Sequence, residues 1–310
     1  MSPKVVGMGA MNLDHLYRVE TILSEGETPV EEYRSSPGGS AANTIYALGR
    51  LGVSTGFLGV VGDDAHGHTL VNGLDSAGVD TSHIAVKKGL PSGQVLALVD
   101  KHGRRTLYVL PGANSHLSTG DIDMDYVNQA AYLHLSAFVG EEQLHLQHEL
   151  VAALAPGVRL SLAPGALYAA RGWNQIAPLV ARSHVLFVNR DEIRQLTGKG
   201  LPAASRRCIG TGCQTVVVTS GGGDDVCTVY QRGQEHRVAP AFPVGEVKDS
   251  TGAGDAFAAG FLYGLLRGEG VEECARLGEV LAVLSLRELG ARPGLPTKEE
   301  LLRARGSLSL

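Results

Sequence analysis

Short apolar runs recur along the chain, and longer stretches with apolar residues at helical spacing lie between them. The runs that predict buried strands are residues 4–9, 55–61, 131–135, 158–162, 185–188 and 214–219. The stretches that predict helices include residues 41–51, 141–154, 256–266 and 271–289. Because strands alternate with helices, the pattern predicts an α/β fold with a doubly wound, mostly parallel sheet.

Two segments interrupt this alternation and predict additional short strands. In residues 14–36, apolar residues are interspersed with charges and threonine. Residues 93–100 and 104–110 flank Lys101-His102-Gly103, a good hairpin turn. We therefore expect one domain over residues 1–310, with strands inserted at about 14–36 and 93–111.

The composition argues against several classes of protein. The 310 residues are 44% hydrophobic and 19% charged, which is typical of an ordinary globular protein. A net charge of −5 with scattered Lys and Arg gives no basic surface patch that would bind nucleic acid.

No apolar run approaches the roughly 20 residues of a membrane helix. A strand pattern that begins by Lys4 leaves no room for a secretion signal, and the four cysteines do not suggest a disulfide framework. We expect a cytoplasmic protein with reduced thiols.

The strongest chemical signal is the stretch Asp249-Ser250-Thr251-Gly252-Ala253-Gly254-Asp255-Ala256-Phe257, which leads into a predicted helix. Its glycines allow a tight turn and leave room for a ligand against the backbone. The N–H groups of Gly252, Ala253 and Gly254 at the helix start favour an anion such as phosphate. Asp255 would repel that anion, which suggests a base beside a phosphate. The alternative is that Asp255 caps the helix.

Two polar residues after the predicted first strand suggest a ligand-binding position. Asn12 and Asp14 lie past the carboxyl end of that strand, where open α/β sheets bind ligands. An amide and a carboxylate two residues apart in an extended chain can point the same way and bind vicinal hydroxyls. The alternative is that they only form a turn.

The start of the next predicted helix carries a second set of candidate residues. Gly38 and Gly39 let the backbone approach a substrate closely, and Asn43 on the first helical turn can reach a hydroxyl. Ser40 is expected to be the N-cap of this helix.

These stretches together resemble the ribokinase-like (PfkB) family of sugar and nucleoside kinases. The stretch from Asp249 to Phe257 is similar to the family's C-terminal signature. Further landmarks appear in the family's order: Asn12-Leu13-Asp14, Gly38-Gly39-Ser40-Ala41-Ala42-Asn43, Asn189-Arg190-Asp191-Glu192 and Val218-Thr219-Ser220-Gly221. The similarity covers nearly the whole chain. It implies a ribokinase-like fold whose two inserted segments form one small sheet, which acts as a lid over the acceptor and in some members as a homodimer face.

The resemblance also implies ATP and Mg²⁺ as cofactors. Asn189 and Glu192 would hold the magnesium–phosphate assembly through water, which fits the reluctance of Mg²⁺ to lose its hydration shell. The alternative is an N-capping Asn followed by first-turn acids. Thr219 and Gly221 match positions that meet the nucleotide, as do Thr251, Gly252 and Gly254 of the signature.

The last glycine-rich loop, residues 290–294, resembles a loop that encloses a monovalent cation such as K⁺ together with Asp249. One departure from the family concerns adenine: this chain has Gly278-Glu279 where relatives commonly carry Ala-Asn. The sequence therefore leaves the adenine contacts open.

The activity that the resemblance implies is in-line transfer of the γ-phosphoryl group of ATP to a hydroxyl of a small sugar. Asp255 would accept the proton, while Asn12, Asp14, Gly39 and Asn43 hold the acceptor. Nucleosides remain an alternative acceptor, although aromatic residues are only 5% of the chain. Sugar phosphates also remain open, with the adjacent pair Arg104 and Arg105 as a slight indication. A non-catalytic binding protein is disfavoured, because a binder has no use for the repulsive carboxylate.

Overall fold

The computed structural model describes residues 2–102, 104–221, 225–241, 244–245 and 247–306. Its strands are, in chain order, β1 (Val5–Met8), β2 (Asn12–Val19), β3 (Val30–Gly38), β4 (Thr55–Gly62), β5 (Val79–Asp80), β6 (Ile84–Lys87), β7 (Gly93–Asp100), β8 (Arg105–Leu110), β9 (Tyr132–Ser136), β10 (Arg159–Ala163), β11 (Ser183–Asn189), β12 (Thr215–Thr219), β13 (Cys227–Gln231) and β14 (Gln234–Val238). Its helices are α1 (Ser40–Arg50), α2 (Ala65–Asp75), α3 (Met124–Asn128), α4 (Glu141–Ala153), α5 (Gly165–Arg171), α6 (Trp173–Arg182), α7 (Arg190–Thr197), α8 (Leu201–Thr211), α9 (Ala253–Leu266), α10 (Val271–Ser285) and α11 (Lys298–Gly306).

Most of the described strands form one ten-stranded main sheet. Its order is β14-β13-β12-β11-β10-β9-β1-β4-β5, with β6 paired to β4 beside this path. The pairs from β12 to β5 are parallel, and only the hairpin of β13 and β14 adds antiparallel strands at one edge. This arrangement confirms the mostly parallel sheet predicted from the apolar runs.

The sheet is covered on both faces because alternate strand residues point to opposite sides. Val5 and Phe57 belong to a core that includes residues of α1, α9 and α10. Val6 and Leu58 belong to a second core, built with α4, α6 and α7. Each such side chain contributes about 1.5–3 kcal/mol when it is fully buried. The doubly wound architecture is therefore confirmed.

The two inserted segments meet in a separate four-stranded sheet, which we call the lid sheet. Its order is β3-β2-β7-β8, in which β2 and β7 are parallel and the outer pairs are antiparallel. The predicted bounds of 14–36 were too short, because Asn12 begins β2 and Gly38 ends β3. These two residues are direct neighbours in the strand pairing, so the candidate acceptor residues lie where the lid sheet joins the main body.

Two helix bounds also differ from the prediction. The helix expected from residue 256 begins at Ala253, because Gly252 turns the chain with φ 77° and the following residues are already helical. The helix expected to reach residue 289 ends at Ser285. Thus the glycine turn is part of the first helical turn of α9. None of the described helices combines the length and apolar character needed to cross a membrane.

Candidate active site

The first turns of α1 and α9 meet at the carboxylate of Asp255. Ser40 Oγ donates a hydrogen bond to Asp255 Oδ1 (2.6 Å), and Asn43 Nδ2 donates one to Asp255 Oδ2 (2.9 Å). Thr44 Oγ1 donates to the backbone carbonyl of Asp255 (3.2 Å). Both carboxylate oxygens thus accept hydrogen bonds from the neighbouring helix. This cross-helix bonding disfavours the simple capping role that the sequence left open.

The prediction that Ser40 caps α1 is wrong. The N-cap residue is Gly39, which has φ 102° and makes no side-chain cap. That conformation favours glycine, and a Cβ at Gly39 would also collide with the carbonyl oxygen of Ala10. Ser40 is instead the first helical residue, and its hydroxyl donates to Asp255.

The surroundings of Asp255 give it the acidity expected of a base. Burial, the largest effect, raises the pKa of its carboxyl from 3.8 to about 6. Hydrogen bonds from Ser40 and Asn43 and the charge of Arg292 lower this pKa, whereas Glu192 raises it. Such a group is mostly ionised at neutral pH and binds a proton more strongly than an ordinary aspartate does. Both properties suit general base catalysis.

The turn before Asp255 contains two glycines in different environments. Gly252 has φ 77°, and a Cβ on it would lie 2.5 Å from the Cβ of Ala291. Gly254 is exposed, and a Cβ on it would have no heavy atom within 4 Å. The N–H of Ala253 donates weakly to the Ser250 carbonyl (3.3 Å). The backbone beside Gly254 is therefore open to a ligand, as the sequence predicted for an anion at this helix start.

Asn12, Asp14 and Gly38 are brought together by the pairing of β2 with β3. Asn12 Oδ1 accepts a hydrogen bond from Asn114 Nδ2 (3.0 Å), which leaves the amide N–H₂ of Asn12 to donate. A Cβ on Gly38 would collide with the carboxylate of Asp14. Glycine at this position therefore makes the space that the Asp14 side chain occupies.

Asp14 has a carboxylate oxygen, Oδ1, that is buried and has no hydrogen-bond partner among the described residues. Burial is the largest effect on this group and raises its pKa to about 6, although Arg105 and Arg292 lower it. A buried acceptor without a partner is costly by about 1–3 kcal/mol. A ligand hydroxyl at this oxygen would remove that cost, so Asp14 is a strong candidate for an acceptor contact.

Asp249 organises the signature turn and joins it to the last glycine-rich loop. Its Oδ1 accepts from the N–H (2.9 Å) and the hydroxyl (2.7 Å) of Thr251. Its Oδ2 accepts from the N–H of Gly290 (2.9 Å). The structure therefore brings together the two segments for which the sequence predicts a monovalent cation site. Both oxygens of Asp249 accept hydrogen bonds from protein donors.

Asn189 and Glu192 form a capping box at the start of α7. Asn189 Oδ1 accepts from the N–H groups of Asp191 (3.0 Å) and Glu192 (2.8 Å), and Glu192 Oε2 accepts from the N–H of Asn189 (2.9 Å). The N-capping role that the sequence left open for Asn189 is therefore present in the structure. Burial raises the pKa of Glu192, and both residues line a cavity of about 120 Å³ that Gly254 and Asp255 also line. Asn189 Oδ1 does not fit direct metal ligation, whereas the Glu192 carboxylate fits a water-mediated ion.

Gly254 also lines a larger cavity of about 520 Å³. Its wall includes Thr219, Gly221 and Gly254, three of the residues that the sequence predicts to meet a nucleotide. Glu279 also lines it, is 3% exposed, and accepts a hydrogen bond from the N–H of Ala241 (2.8 Å) through Oε1. The Glu279 carboxylate therefore fixes the backbone of Ala241 near this cavity.

The order of these residues and their convergence at one sheet edge agree with a comparison to known families. The chain matches the model described as "pfkB family carbohydrate kinase" over residues 2–298. The chain belongs to the pfkB family of carbohydrate kinases. It is accordingly a phosphotransferase that acts on an alcohol group.

Individual relatives of this pfkB kinase agree with that assignment. An uncharacterized sugar kinase of Archaeoglobus fulgidus is 35% identical, over 80% of this chain and 98% of its own. An ATP-dependent ribose-1-phosphate kinase of Halopiger xanaduensis is 30% identical, over 93% and 94% of the two chains. The ribokinase of Arabidopsis thaliana, solved with ribose and ATP, has a TM-score of 0.83 and 26% identity, and 98% of each chain is covered.

Sequence reasoning missed several contributors to the site of this pfkB kinase. The sequence predicts only a capping role for Ser40, although Ser40 precedes Asn43 by three residues and therefore shares its helix face. Asn114, which donates to Asn12, belongs to none of the motifs that the sequence shows. The sequence places Arg292 only within the loop predicted to enclose a cation. A lone arginine among small residues at 290–294 was the available signal, but its partners are about 250 residues away in sequence.

Proposed function

We propose that this protein transfers the γ-phosphoryl group of ATP to a hydroxyl of a small sugar. The observation that carries the proposal is the position of Asp255: its carboxylate is held by Ser40 and Asn43 and adjoins the open turn at Gly254. A carboxylate beside an anion-binding turn has a use when a proton must be removed next to a phosphate.

The residues of the acceptor side would orient the sugar. Asn12 donates through its amide N–H₂, the buried oxygen of Asp14 accepts from a sugar hydroxyl, and the glycine backbone at Gly38 and Gly39 allows close approach. The reacting hydroxyl then forms a bond to the γ-phosphorus as the bond to the ADP oxygen breaks. Asp255 accepts the hydroxyl proton in the same process.

The turn residues would stabilise the charge that develops on the transferred group. Backbone N–H groups at Gly252, Ala253 and Gly254 lie at the positive end of α9 and would neutralise the equatorial phosphoryl oxygens. Mg²⁺ would be held near Glu192 through water and would supply charge neutralisation at the phosphates. Thr219, Gly221 and Thr251 would contact the nucleotide. The loop at 290–294 with Asp249 would hold K⁺ or a similar ion.

A sugar phosphate is the second candidate acceptor, and Arg105 is the observation that favours it. Its guanidinium Nη1 donates to Thr251 Oγ1 (3.2 Å), and its charge lowers the pKa of Asp14. An arginine between the acceptor position and the signature turn could bind a second phosphate. The relative named as a ribose-1-phosphate kinase supports this alternative.

The experiment is a coupled ADP-release screen of pentoses, hexoses, their phosphates and nucleosides, each with ATP and Mg²⁺. We expect acceptor-dependent ADP release with a sugar or sugar phosphate, and phosphorylated product confirmed by mass spectrometry. Asp255→Asn serves as the control for background hydrolysis. Turnover of nucleosides alone would replace the sugar proposal, and no acceptor-dependent turnover would contradict it.

We also propose that the lid sheet forms a homodimer through its outer face. The strand register places Tyr33, Tyr108 and Leu110 on the face opposite Asp14 and Arg105. These three residues are 52%, 58% and 57% exposed and together form an exposed apolar surface.

Light scattering should show a dimer that Tyr108→Glu converts to a monomer. Leu302→Glu, which changes an exposed leucine outside the lid sheet, should leave the mass unchanged; a monomeric wild type would contradict the proposal.

A cytoplasmic location is the last part of the proposal. All four cysteines, Cys208, Cys213, Cys227 and Cys274, are free and buried. Burial raises the pKa of each thiol to about 12, so none is activated as a thiolate. Unpaired thiols are usual in a reducing compartment.

A further inference from the structure

Arg292 carries a buried positive charge next to the proposed base. Its side chain lies in the loop after α10 and is 6% exposed. Nε donates to Asn43 Oδ1 (3.0 Å), and Nη2 donates to the carbonyl of Gly38 (3.3 Å). The guanidinium also lies over the ring of Tyr46, 5.2 Å from its centroid. Its hydrogen-bond partners are thus neutral acceptors.

A buried guanidinium without a direct carboxylate partner is uncommon, because burial of a charge is expensive. No carboxylate of the described residues lies within salt-bridge distance of Arg292. The acidic groups whose charge it feels are Asp14 and Asp255, and burial lowers its pKa to about 10. It stays protonated at neutral pH, so its charge acts on those two carboxylates.

The hydrogen bond from Arg292 determines which way the amide of Asn43 faces. A guanidinium has only donors, so the amide must present Oδ1 to Arg292. The N–H₂ of Asn43 must then face Asp255, and it does so at 2.9 Å from Oδ2. A flipped amide would place two N–H donors against each other at Arg292 and two oxygens against each other at Asp255.

Three elements build the slot for this side chain. Asn43 and Tyr46 come from α1, and Gly38 ends β3. Gly73 in α2 completes it, because a Cβ there would lie only 3.2 Å from Nη1 of Arg292. An apolar side chain would be enough if the site required only that this volume be filled. The contacts therefore indicate a role for the charge and the N–H donors of Arg292.

We propose that Arg292 is a positioning residue for phosphoryl transfer: it locks the amide of Asn43 so that Asp255 is held as a carboxylate and aimed at the acceptor hydroxyl. The inference rests on the proposed function. The charged groups around Asp255 from the packed elements are Asp14 on β2, Glu192 on α7 and Arg292 itself. Arg105 on β8 acts on Asp14. Among these groups, Arg292 alone combines a charge with a hydrogen-bonded link to the base.

The first test compares Arg292→Met with Arg292→Lys. Arg292→Met removes the donors and the charge, and we expect kcat to fall by about 10–100-fold, as for a small misplacement of a catalytic group. The KM for ATP should stay near the wild-type value, because Arg292 does not line the nucleotide cavity. Arg292→Lys keeps a charge and one donor and should recover most of kcat. Equal loss in both variants, or a matching rise in the KM for ATP, would contradict the positioning role.

A double-mutant cycle with Asn43→Ala tests whether Arg292 acts through that amide. If it does, Arg292→Met should reduce kcat little further once Asn43 is alanine, since coupled residues are non-additive. If the fold losses in kcat of the two single variants multiply in the double variant, the proposal is overturned. Thermal melts of all variants separate this coupling from general destabilisation, and Arg292→Lys keeps the test valid if Arg292→Met folds poorly.

A third measurement does not depend on activity. NMR titration of the Asp255 and Asp14 carboxyl carbons should show that Arg292→Met raises the Asp255 midpoint by on the order of one pH unit, because a nearby cation is lost. The acidic limb of the pH–rate profile should move in the same direction. If the protein phosphorylates an acceptor but Arg292→Met leaves the Asp255 midpoint unchanged, the positioning role is overturned and the proposed function stands. A shift in a protein that phosphorylates no acceptor would instead overturn the proposed function and with it the positioning role.

Discussion

Gly252 and Gly254 lie in the same turn, but the protein uses their missing side chains for different purposes. Gly252 has a left-handed backbone and contacts Ala291, so a side chain there meets both strain and a clash. Gly254 has an ordinary helical position with open space where its Cβ would be. The first glycine is needed to fold the turn, and the second leaves open space where we propose that the phosphate binds.

This difference predicts opposite outcomes for two substitutions. Gly254→Val should leave the free energy of unfolding within about 0.5 kcal/mol of the wild type, while it weakens ATP binding by roughly tenfold or more, about 1.4 kcal/mol. Gly252→Ala should destabilise the protein by about 1–2 kcal/mol from backbone strain alone. Calorimetry and thermal melts measure both quantities. Unchanged ATP affinity in a folded Gly254→Val protein would show that this turn does not hold the nucleotide.

The raised pKa values of Asp14 and Asp255 predict how stability changes with pH. Both carboxyls titrate near 3.8 when unfolded and near 6 in the native protein. Between these values the native state binds more protons, so the contribution of this pair to stability is largest at low pH and declines as pH rises through about 6. The neutral variant Asp14→Asn/Asp255→Asn should therefore gain in Tm relative to wild type as the pH is raised from about 4 to about 7.5. A difference in Tm that is independent of pH would contradict these pKa values.

At the scale of elements, a long-range hydrogen bond from the side chain of Arg105 ties the lid sheet to the signature turn. Arg105 on β8 donates to Thr251, which in turn donates to Asp249. The neighbouring Arg104 pairs with Asp100 within its own hairpin instead (2.6 Å). These adjacent arginines thus differ in whether they connect the lid sheet to the main body.

We predict that Arg105→Ala weakens lid closure and lets water compete with the acceptor. The loss of a charged hydrogen bond, about 1.5 kcal/mol, corresponds to roughly a tenfold rise in the KM for the acceptor. The ratio of ADP released to phosphorylated product should also rise above one. Arg104→Ala is the matched control and should behave as wild type. If both variants uncouple equally, the contact with Thr251 has no special part in closure.

At the scale of the whole molecule, the sequence predicted the sheet well because its strands are continuous buried apolar runs. The residues 55–61 and 185–188 were identified in this way, and both lie within the strands β4 and β11. The glycine signature was also recognisable, because its chemistry depends on neighbours in sequence. It placed the proposed base at Asp255 and the open backbone at Gly254.

The contacts that tune the site could not be predicted in this way. Ser40 donates to a residue 215 positions away, and Arg292 donates to one 249 positions away. Both bonds exist only because packing brings α1, α9 and the loop after α10 together. The extra residues of β2 and β3 likewise depend on pairing with each other and not on local alternation. Local patterns therefore indicate elements and motifs, whereas the orientation and the raised pKa of the proposed base, Asp255, arise from tertiary structure.

The proposed mechanism depends most directly on Asp255 as the proton acceptor, and a single substitution tests it. With the preferred acceptor from the screen, kcat of Asp255→Asn should fall by on the order of 10²–10⁴-fold, while the Kd for ATP measured by calorimetry and the melting behaviour remain those of a folded protein. The asparagine side chain has nearly the same size as that of aspartate, so a loss of kcat reports the loss of the base. A kcat equal to the wild type would contradict the central claim that this carboxylate takes the proton.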